Sequence, residues 1–139
     1  MIALDPLKIR LDTTTLIEAS AGTGKTYTIA TLVLRLIADG IPIESILVVT
    51  FTEAAAAELK LRIRSRLSDT LKKLETSPQP GEDDITAFFR NADRNKLIRS
   101  RFNLALSSFD QAAVTTIYSF CYQVLKAHSF ESGAYFDLE

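Results

Sequence analysis

The stretch LIEASAGTGKT, from Leu16 to Thr26, constrains this chain of 139 residues more than any other part of its sequence. It follows the pattern G-x-x-x-x-G-K-[ST] of a phosphate-binding loop, with Gly24, Lys25 and Thr26 at its end and Ala19 in place of the first glycine. Glycines let successive backbone N–H groups of such a loop turn toward an anion, and the following helix adds its positive N-terminal end. The sequence therefore predicts a site for a nucleoside triphosphate.

The side chains of this loop have separate expected roles. We expect Lys25 to reach the β- and γ-phosphates and the Thr26 hydroxyl to ligate Mg²⁺. These two are the candidate catalytic residues, and Thr26 is also the candidate metal ligand. The predicted nucleotide-binding residues are Ala19, Ser20, Ala21, Gly22, Thr23, Gly24, Lys25 and Thr26.

Strands and helices alternate along the chain. Apolar and β-branched runs predict strands at 15–18, 46–49 and 112–117. Apolar residues at helical spacing predict a helix from the loop to near Gly40, a long helix after the N-cap Thr52, and a final helix after the third strand. A proline-rich break at 77–84 leads into two further helices, of which the second is expected to be capped by Asp93.

This order of elements predicts the fold class. It is typical of an α/β domain of the P-loop NTPase (RecA-like) kind, with three layers and a parallel sheet, present here in part. Residues 77–110 form a predicted helical excursion between the second and third strands. Because parallel strands end at the same edge of a sheet, we expect the loops at 50–53 and 117–120 to lie beside the phosphate loop.

Charge and composition set limits on function. Lys and Arg total 16 against 17 Asp and Glu, so overall charge gives no support to nucleic-acid binding. We expect a basic stripe of Arg62, Arg66 and Lys73 to be a solvated helix face, and the acids at 82–84 to open a helix rather than bind a metal.

The single Cys121 excludes an internal disulfide and is expected to be buried. With no signal-peptide or membrane-span pattern, the sequence predicts a soluble, cytoplasmic protein.

Two further motifs follow the second and third predicted strands. TFTEAAAAEL, at 50–59, resembles motif Ia of superfamily 1 DNA helicases of the UvrD/Rep type. TIYSFC, at 116–121, resembles motif Ib of that family, with Tyr118 where many relatives have histidine. The sequences of the segments IEASAGTGKTYTI and LVVTFTEAA are most similar to the N-terminal part of the helicase/nuclease subunits of the exodeoxyribonuclease V type within this family.

The resemblance implies a role for each matched position. It implies that the phosphate loop binds Mg-ATP. It also implies DNA contacts in which hydroxyl groups bind phosphates and aromatic rings stack on bases. The residues expected to make these contacts are Thr50, Phe51, Thr52, Thr116, Tyr118 and Ser119. The longer protein would couple ATP hydrolysis to movement along single-stranded DNA and to unwinding of double-stranded DNA in break repair and recombination. It would work in a heterotrimer with RecC-like and RecD-like subunits.

The resemblance also predicts that residues 1–139 are the N-terminal part of a helicase ATP-binding domain. After the last predicted helix, the sequence has no apolar strand leading to an Asp-Glu motif, no second motor domain and no nuclease domain. Because phosphoryl transfer depends on positioned acids and arginines, we expect these residues alone to bind nucleotide weakly and to be inactive as an enzyme.

Two other functions stay open from the sequence. A P-loop phosphotransferase acting on a small molecule would explain the phosphate loop, but not the motifs at 50–59 and 116–121. A non-catalytic module would use the helices at 85–109 to dock a partner protein. Stimulation of nucleotide turnover by single-stranded DNA would separate the helicase from the first alternative, and deletion of the docking segment would test the second.

Overall fold

The computed structural model describes residues 4–132. Its helices and strands, in chain order, are α1 (Lys25–Ala38), β1 (Leu47–Thr50), α2 (Glu53–Glu75), α3 (Asp84–Arg90), α4 (Asn95–Ser107), β2 (Ala113–Thr116), α5 (Ile117–Ala127) and α6 (Ser129–Ser132). A short 3-10 turn precedes each strand. Within this part of the chain, no helix has both the length and the apolar character needed to cross a membrane.

The two strands form a parallel pair. Leu47 lies opposite Ala113, and Thr50 lies opposite Thr116. α2, α3 and α4 make the connection between the strands, so both strands end at the same edge of the sheet. The parallel α/β order is therefore confirmed for the second and third predicted strands, and α3 and α4 occupy the region of the expected helical excursion.

Helices supply most of the hydrophobic core. Leu34 of α1, Ile63 and Leu67 of α2 and Phe102 of α4 are each 0% exposed. Phe89 of α3 meets the Phe102 ring edge to face, with 5.2 Å between the ring centroids. The apolar face predicted for the long helix is confirmed, since its buried residues recur at helical spacing: Ala56, Leu59, Ile63, Leu67, Thr70, Leu71 and Leu74.

Two arginines tie α1 to its surroundings. The Arg35 guanidinium donates hydrogen bonds of 2.7 Å to the carbonyl oxygens of Pro6 and Ile9. The Arg101 guanidinium of α4 donates to the carbonyl oxygen of Ala38, at the end of α1. All three bonds use carbonyl groups that lack partners within regular structure, and they fix the helix that begins at the phosphate loop.

The basic stripe on α2 is partly an ion-pair network. Arg66 and Lys73 lie 3.2 and 2.7 Å from the carboxylate oxygens of Asp83. Asp83 is also the N-cap of α3, since its carboxylate accepts hydrogen bonds from the backbone N–H and the hydroxyl of Thr86. The expectation of a solvated stripe is therefore wrong for Arg66, whose side chain is 25% exposed, but it holds for Lys73, which is half exposed. The expected helix-opening role of the acids is confirmed.

Three local predictions are wrong. Residues 15–18 do not form a strand, and Leu16 is 86% exposed. A strand exists through hydrogen bonds to a neighbouring strand, and in the described residues β1 pairs only with β2, so the three-stranded RecA-like sheet is not formed here. α4 begins at Asn95 with Arg94 rather than Asp93 at its N-cap. Cys121 is exposed, because α5 buries none of its residues.

Candidate functional site

The phosphate loop has the backbone conformation that its glycines predict. Gly22 and Gly24 have φ angles of 76° and 84°, in the left-handed region that residues with a Cβ rarely adopt. A Cβ added at either position would meet no atom within 4 Å, so conformation and not space requires glycine there. Gly24 is the N-cap of α1, and the loop therefore runs directly into the helix.

Lys25 closes the loop on itself. Its ammonium group donates hydrogen bonds to the carbonyl oxygens of Ala19, at 3.3 Å, and Ser20, at 3.1 Å. The Thr23 hydroxyl donates a further bond of 2.6 Å to the Ser20 carbonyl oxygen. The lysine head is thus held by the backbone of the loop itself, and its exposed position leaves it free to turn toward a bound phosphate.

The start of α1 supplies the donors that a phosphate needs. The first helical hydrogen bond is donated by Thr28 to the Gly24 carbonyl oxygen, at 2.9 Å. Earlier N–H groups of any α-helix have no partner within the helix, and they carry the positive end of its dipole. With the exposed loop and the Lys25 ammonium, these groups form a set of donors that fits the phosphates of a nucleotide.

The residues present fit a magnesium ion less completely. Thr26 is half-buried at the start of α1, where its hydroxyl is a possible ligand. Among residues 4–132, no group of three or more His, Cys, Asp or Glu side chains is placed to hold a metal. Mg²⁺ prefers six oxygen ligands, so phosphate oxygens and water would have to supply most of them around Thr26.

A second group of candidate residues meets at the ends of the strands. Thr50 and Thr116 are register partners, and the exposed rings of Phe51 (88% exposed) and Tyr118 (79%) follow them. The Thr52 hydroxyl caps α2 by accepting a 3.1 Å bond from the N–H of Ala55. The predicted N-cap at Thr52 is therefore confirmed, and the two strand-end loops lie side by side.

The Glu53 carboxylate joins these two loops. One oxygen, Oε1, lies 3.0 Å from the Thr116 hydroxyl and 2.9 Å from the Ser119 hydroxyl. Thr116, which is 4% exposed, also caps α5 by accepting a bond from the N–H of Ser119. Sequence reasoning gives Glu53 no role beyond the first turn of α2, because only the strand register brings residues 63 positions apart together.

The phosphate loop and the strand-end loops are not joined by any hydrogen bond or ion pair within residues 4–132. Tyr27, which directly follows Thr26, lies under the guanidinium of Arg66 on α2, 4.9 Å from ring centroid to Cζ. α1 and α2 are thereby coupled just behind the phosphate loop.

Comparison with known proteins gives consistent relatives. The RecBCD enzyme subunit RecB of Haemophilus influenzae is 41% identical over an alignment that covers 99% of this chain and 13% of that protein. The RecB subunit of Escherichia coli is also 41% identical, with 96% and 12% covered. An ATP-dependent helicase/nuclease subunit of Lactobacillus gasseri is 38% identical, with 80% and 7% covered. The chain thus spans about an eighth or less of the length of these relatives.

A family model covers nearly the whole chain. The UvrD/REP helicase N-terminal domain matches residues 4–138, which include the phosphate loop and both strand-end motifs. The resemblance inferred from those motifs is confirmed by this match and by the RecB relatives. The chain therefore belongs to the family of UvrD/REP helicase N-terminal domains.

Proposed function

We propose that this chain is the nucleotide-binding N-terminal part of an ATP-driven DNA helicase and nuclease subunit. One observation carries the proposal: two exposed aromatic residues, Phe51 and Tyr118, stand at the paired ends of adjacent parallel strands in a domain that also has a phosphate loop. A nucleotide site alone would suit many enzymes. The aromatic pair favours a polymer with stackable bases as the second ligand.

The phosphate loop is assigned to ATP. Backbone N–H groups around Gly22 and Gly24 and at the start of α1 would hold the phosphates, with Lys25 as the cation beside them. Thr26 would contribute one ligand to Mg²⁺. Hydrolysis of bound ATP supplies the free energy for movement along DNA. Because Thr26 is the sole metal ligand that we assign, we attribute nucleotide binding, but not ATP hydrolysis, to residues 4–132 alone.

The strand-end loops are assigned to single-stranded DNA. Aromatic rings stack on bases of any sequence, and each such contact is worth about 1–3 kcal/mol. Hydroxyl groups nearby would meet the phosphates, and we assign this role to Thr50 and Thr52. Base stacking does not depend on charge, so it supplies affinity that a net charge of −1 does not.

The longer protein is proposed to act in an assembly. Two relatives bear the name of the RecB subunit of the RecBCD enzyme, and a third is named a helicase/nuclease subunit. On this basis we propose RecC-like and RecD-like partner subunits, and DNA unwinding and degradation in break repair and recombination as the activity of the whole protein.

Nucleotide binding is tested with a fluorescent ATP analogue in the presence of Mg²⁺. We expect saturable binding that Lys25→Ala weakens roughly 10- to 100-fold, because a charged hydrogen bond to phosphate is lost. Lys96→Ala, which removes an exposed lysine on α4, is the matched control and should bind as the wild type does. Equal affinities for the wild type and Lys25→Ala would overturn the assignment of this loop.

DNA binding is tested by fluorescence anisotropy with a labelled oligo(dT). Phe51→Ala and Tyr118→Ala should each weaken binding about tenfold, through loss of base stacking. Phe88→Ala is the control, since Phe88 is a 45% exposed aromatic residue on α3, away from the strand ends. If Phe88→Ala weakened binding as much as Phe51→Ala, the strand ends would not be the DNA site.

A further inference from the structure

The three oxygens between the strand-end loops form a closed triangle. Glu53 Oε1 lies 3.0 Å from Thr116 Oγ1 and 2.9 Å from Ser119 Oγ, and the two hydroxyl oxygens lie 3.0 Å from each other. Each hydroxyl carries a single proton, while a carboxylate can only accept. Two protons cannot serve three contacts, so at most two of these contacts are hydrogen bonds at one time.

The carboxylate takes both protons. A hydrogen bond to an ionised acceptor is stronger than one between two hydroxyls, so Thr116 and Ser119 both donate to Glu53. The Thr116 oxygen is further engaged, because it accepts the bond from the N–H of Ser119. Neither hydroxyl then has a proton left for a DNA phosphate, although both residues belong to a motif expected to contact DNA.

This bonding has a geometric consequence for the exposed rings. Glu53 lies two residues after Phe51, and Thr116 and Ser119 flank Tyr118. A single carboxylate therefore joins the short segment that carries one ring to the short segment that carries the other. The strand ladder aligns Thr50 with Thr116, but beyond these residues the backbone pairing of the sheet ends.

We infer that Glu53 is a positioning residue that holds Phe51 and Tyr118 in a fixed relation for stacking on successive bases of single-stranded DNA. The inference rests on the proposed function and deepens it. Thr116 and Ser119 act through the same bridge, as its two hydroxyl donors. The mechanism is preorganisation, since two rings already held in place lose less conformational freedom when they bind.

A simpler role for Glu53 is distinguishable by charge. An acid in the first turn of α2 also stabilises that helix through its dipole, and this effect needs the negative charge. The bridge needs only an acceptor oxygen, which glutamine retains. Glu53→Gln therefore preserves the bridge and removes the charge, whereas Glu53→Ala removes both.

The binding experiment compares both variants by oligo(dT) anisotropy. We expect Glu53→Ala to weaken DNA binding about tenfold, because both hydrogen bonds of the bridge are lost. Glu53→Gln should stay within about twofold of the wild type, because its amide oxygen still accepts both bonds. Affinity for the fluorescent ATP analogue should be unchanged in both. If Glu53→Gln lost as much DNA affinity as Glu53→Ala, or if neither lost any, the bridge would not position the rings.

Amide hydrogen exchange gives a readout independent of DNA. Glu53→Ala should speed exchange about tenfold or more at the Ser119 N–H, on the loop opposite the substitution, and Glu53→Gln should not. Faster exchange in the first turn of α2 alone would overturn the inference in favour of a helix-dipole role. Failure of the wild type to bind oligo(dT) would overturn the proposed function and the stacking role with it, and exchange would still decide whether the bridge exists.

Discussion

The helical side of the molecule and its site side are held together in different ways. On the helical side, Leu34, Ile63, Leu67 and Phe102 are fully buried where α1, α2 and α4 pack together. On the site side, α5 buries none of its residues, and Leu47 and Val49 of β1 remain nearly half exposed. Stability is therefore concentrated on one side, and the candidate DNA-binding residues lie on the other.

This difference follows from what each kind of element needs. A helix satisfies its backbone hydrogen bonds internally, and an apolar stripe then packs against neighbours joined to it by short connections. A strand has no internal partner, so it forms only where another strand lies beside it. Residues 15–18 have no such partner in the described part of the chain, while β1 and β2 have each other.

The largest expected effect comes from the core. Phe102→Ala should lower the free energy of unfolding by about 3–5 kcal/mol, because it removes a fully buried ring that packs against Phe89. Urea denaturation followed by circular dichroism measures this, since the chain has no tryptophan. Leu104→Ala, on the same helix but at a 69% exposed position, should change stability by about 0.5 kcal/mol or less. Equal losses would contradict a core on the helical side.

An intermediate effect is expected from Asp83, which links α2 to α3. Partial burial raises the pKa of Asp83, but hydrogen bonds from Lys73 and Thr86 and the charge of Arg66 outweigh it and lower the pKa to about 2. The unfolded chain therefore binds this proton at a higher pH than the folded chain does. Stability from Asp83 is fully present above about pH 4 and is lost as the pH falls toward 2.

The size of this contribution is roughly 1–2 kcal/mol, once solvent screening of a partly exposed carboxylate is allowed for. Asp83→Asn should therefore flatten the dependence of unfolding free energy on pH between about 4 and 2. Asp93→Asn, which removes an exposed carboxylate between α3 and α4, is the control and should flatten it less. An unchanged profile for Asp83→Asn would mean that the ion pairs with Arg66 and Lys73 do not form in solution.

The comparison also explains which features were predictable from the sequence. The apolar face of α2, the N-cap Thr52 and the left-handed glycines of the phosphate loop depend on residues within a few positions, and all three are confirmed. The bridge from Glu53 to Thr116 and Ser119 joins residues 63 and 66 positions apart. No local pattern reports it, since it exists only after β1 and β2 pair in one particular register.

Two of the wrong predictions have the same origin, and the third is local. The run at 15–18 has the composition of a strand, but composition does not supply a neighbouring strand. The apolar face of α5 predicts a buried Cys121, yet α5 packs against the strands without fully burying any of its residues, and Cys121 is exposed. Asp93 has the chemistry of an N-cap, and the helix begins one residue later than that chemistry suggests. Helix boundaries commonly differ by one or two residues for such local reasons.

The smallest expected effect is on α5 and compares the same substitution on the two sides. Leu67→Ala, at a fully buried position of α2, should cost about 2–5 kcal/mol, while Leu125→Ala, at a 43% exposed position of α5, should cost about 0.5 kcal/mol or less. Both changes remove the same atoms from a helix, so side-chain chemistry and helix propensity cancel between them. The difference between the two losses of unfolding free energy therefore measures how tightly the surroundings of each leucine pack against it. If Leu125→Ala cost as much as Leu67→Ala, the apolar face of α5 would be covered in solution, and the site side would share in the stability that we assign to the helices.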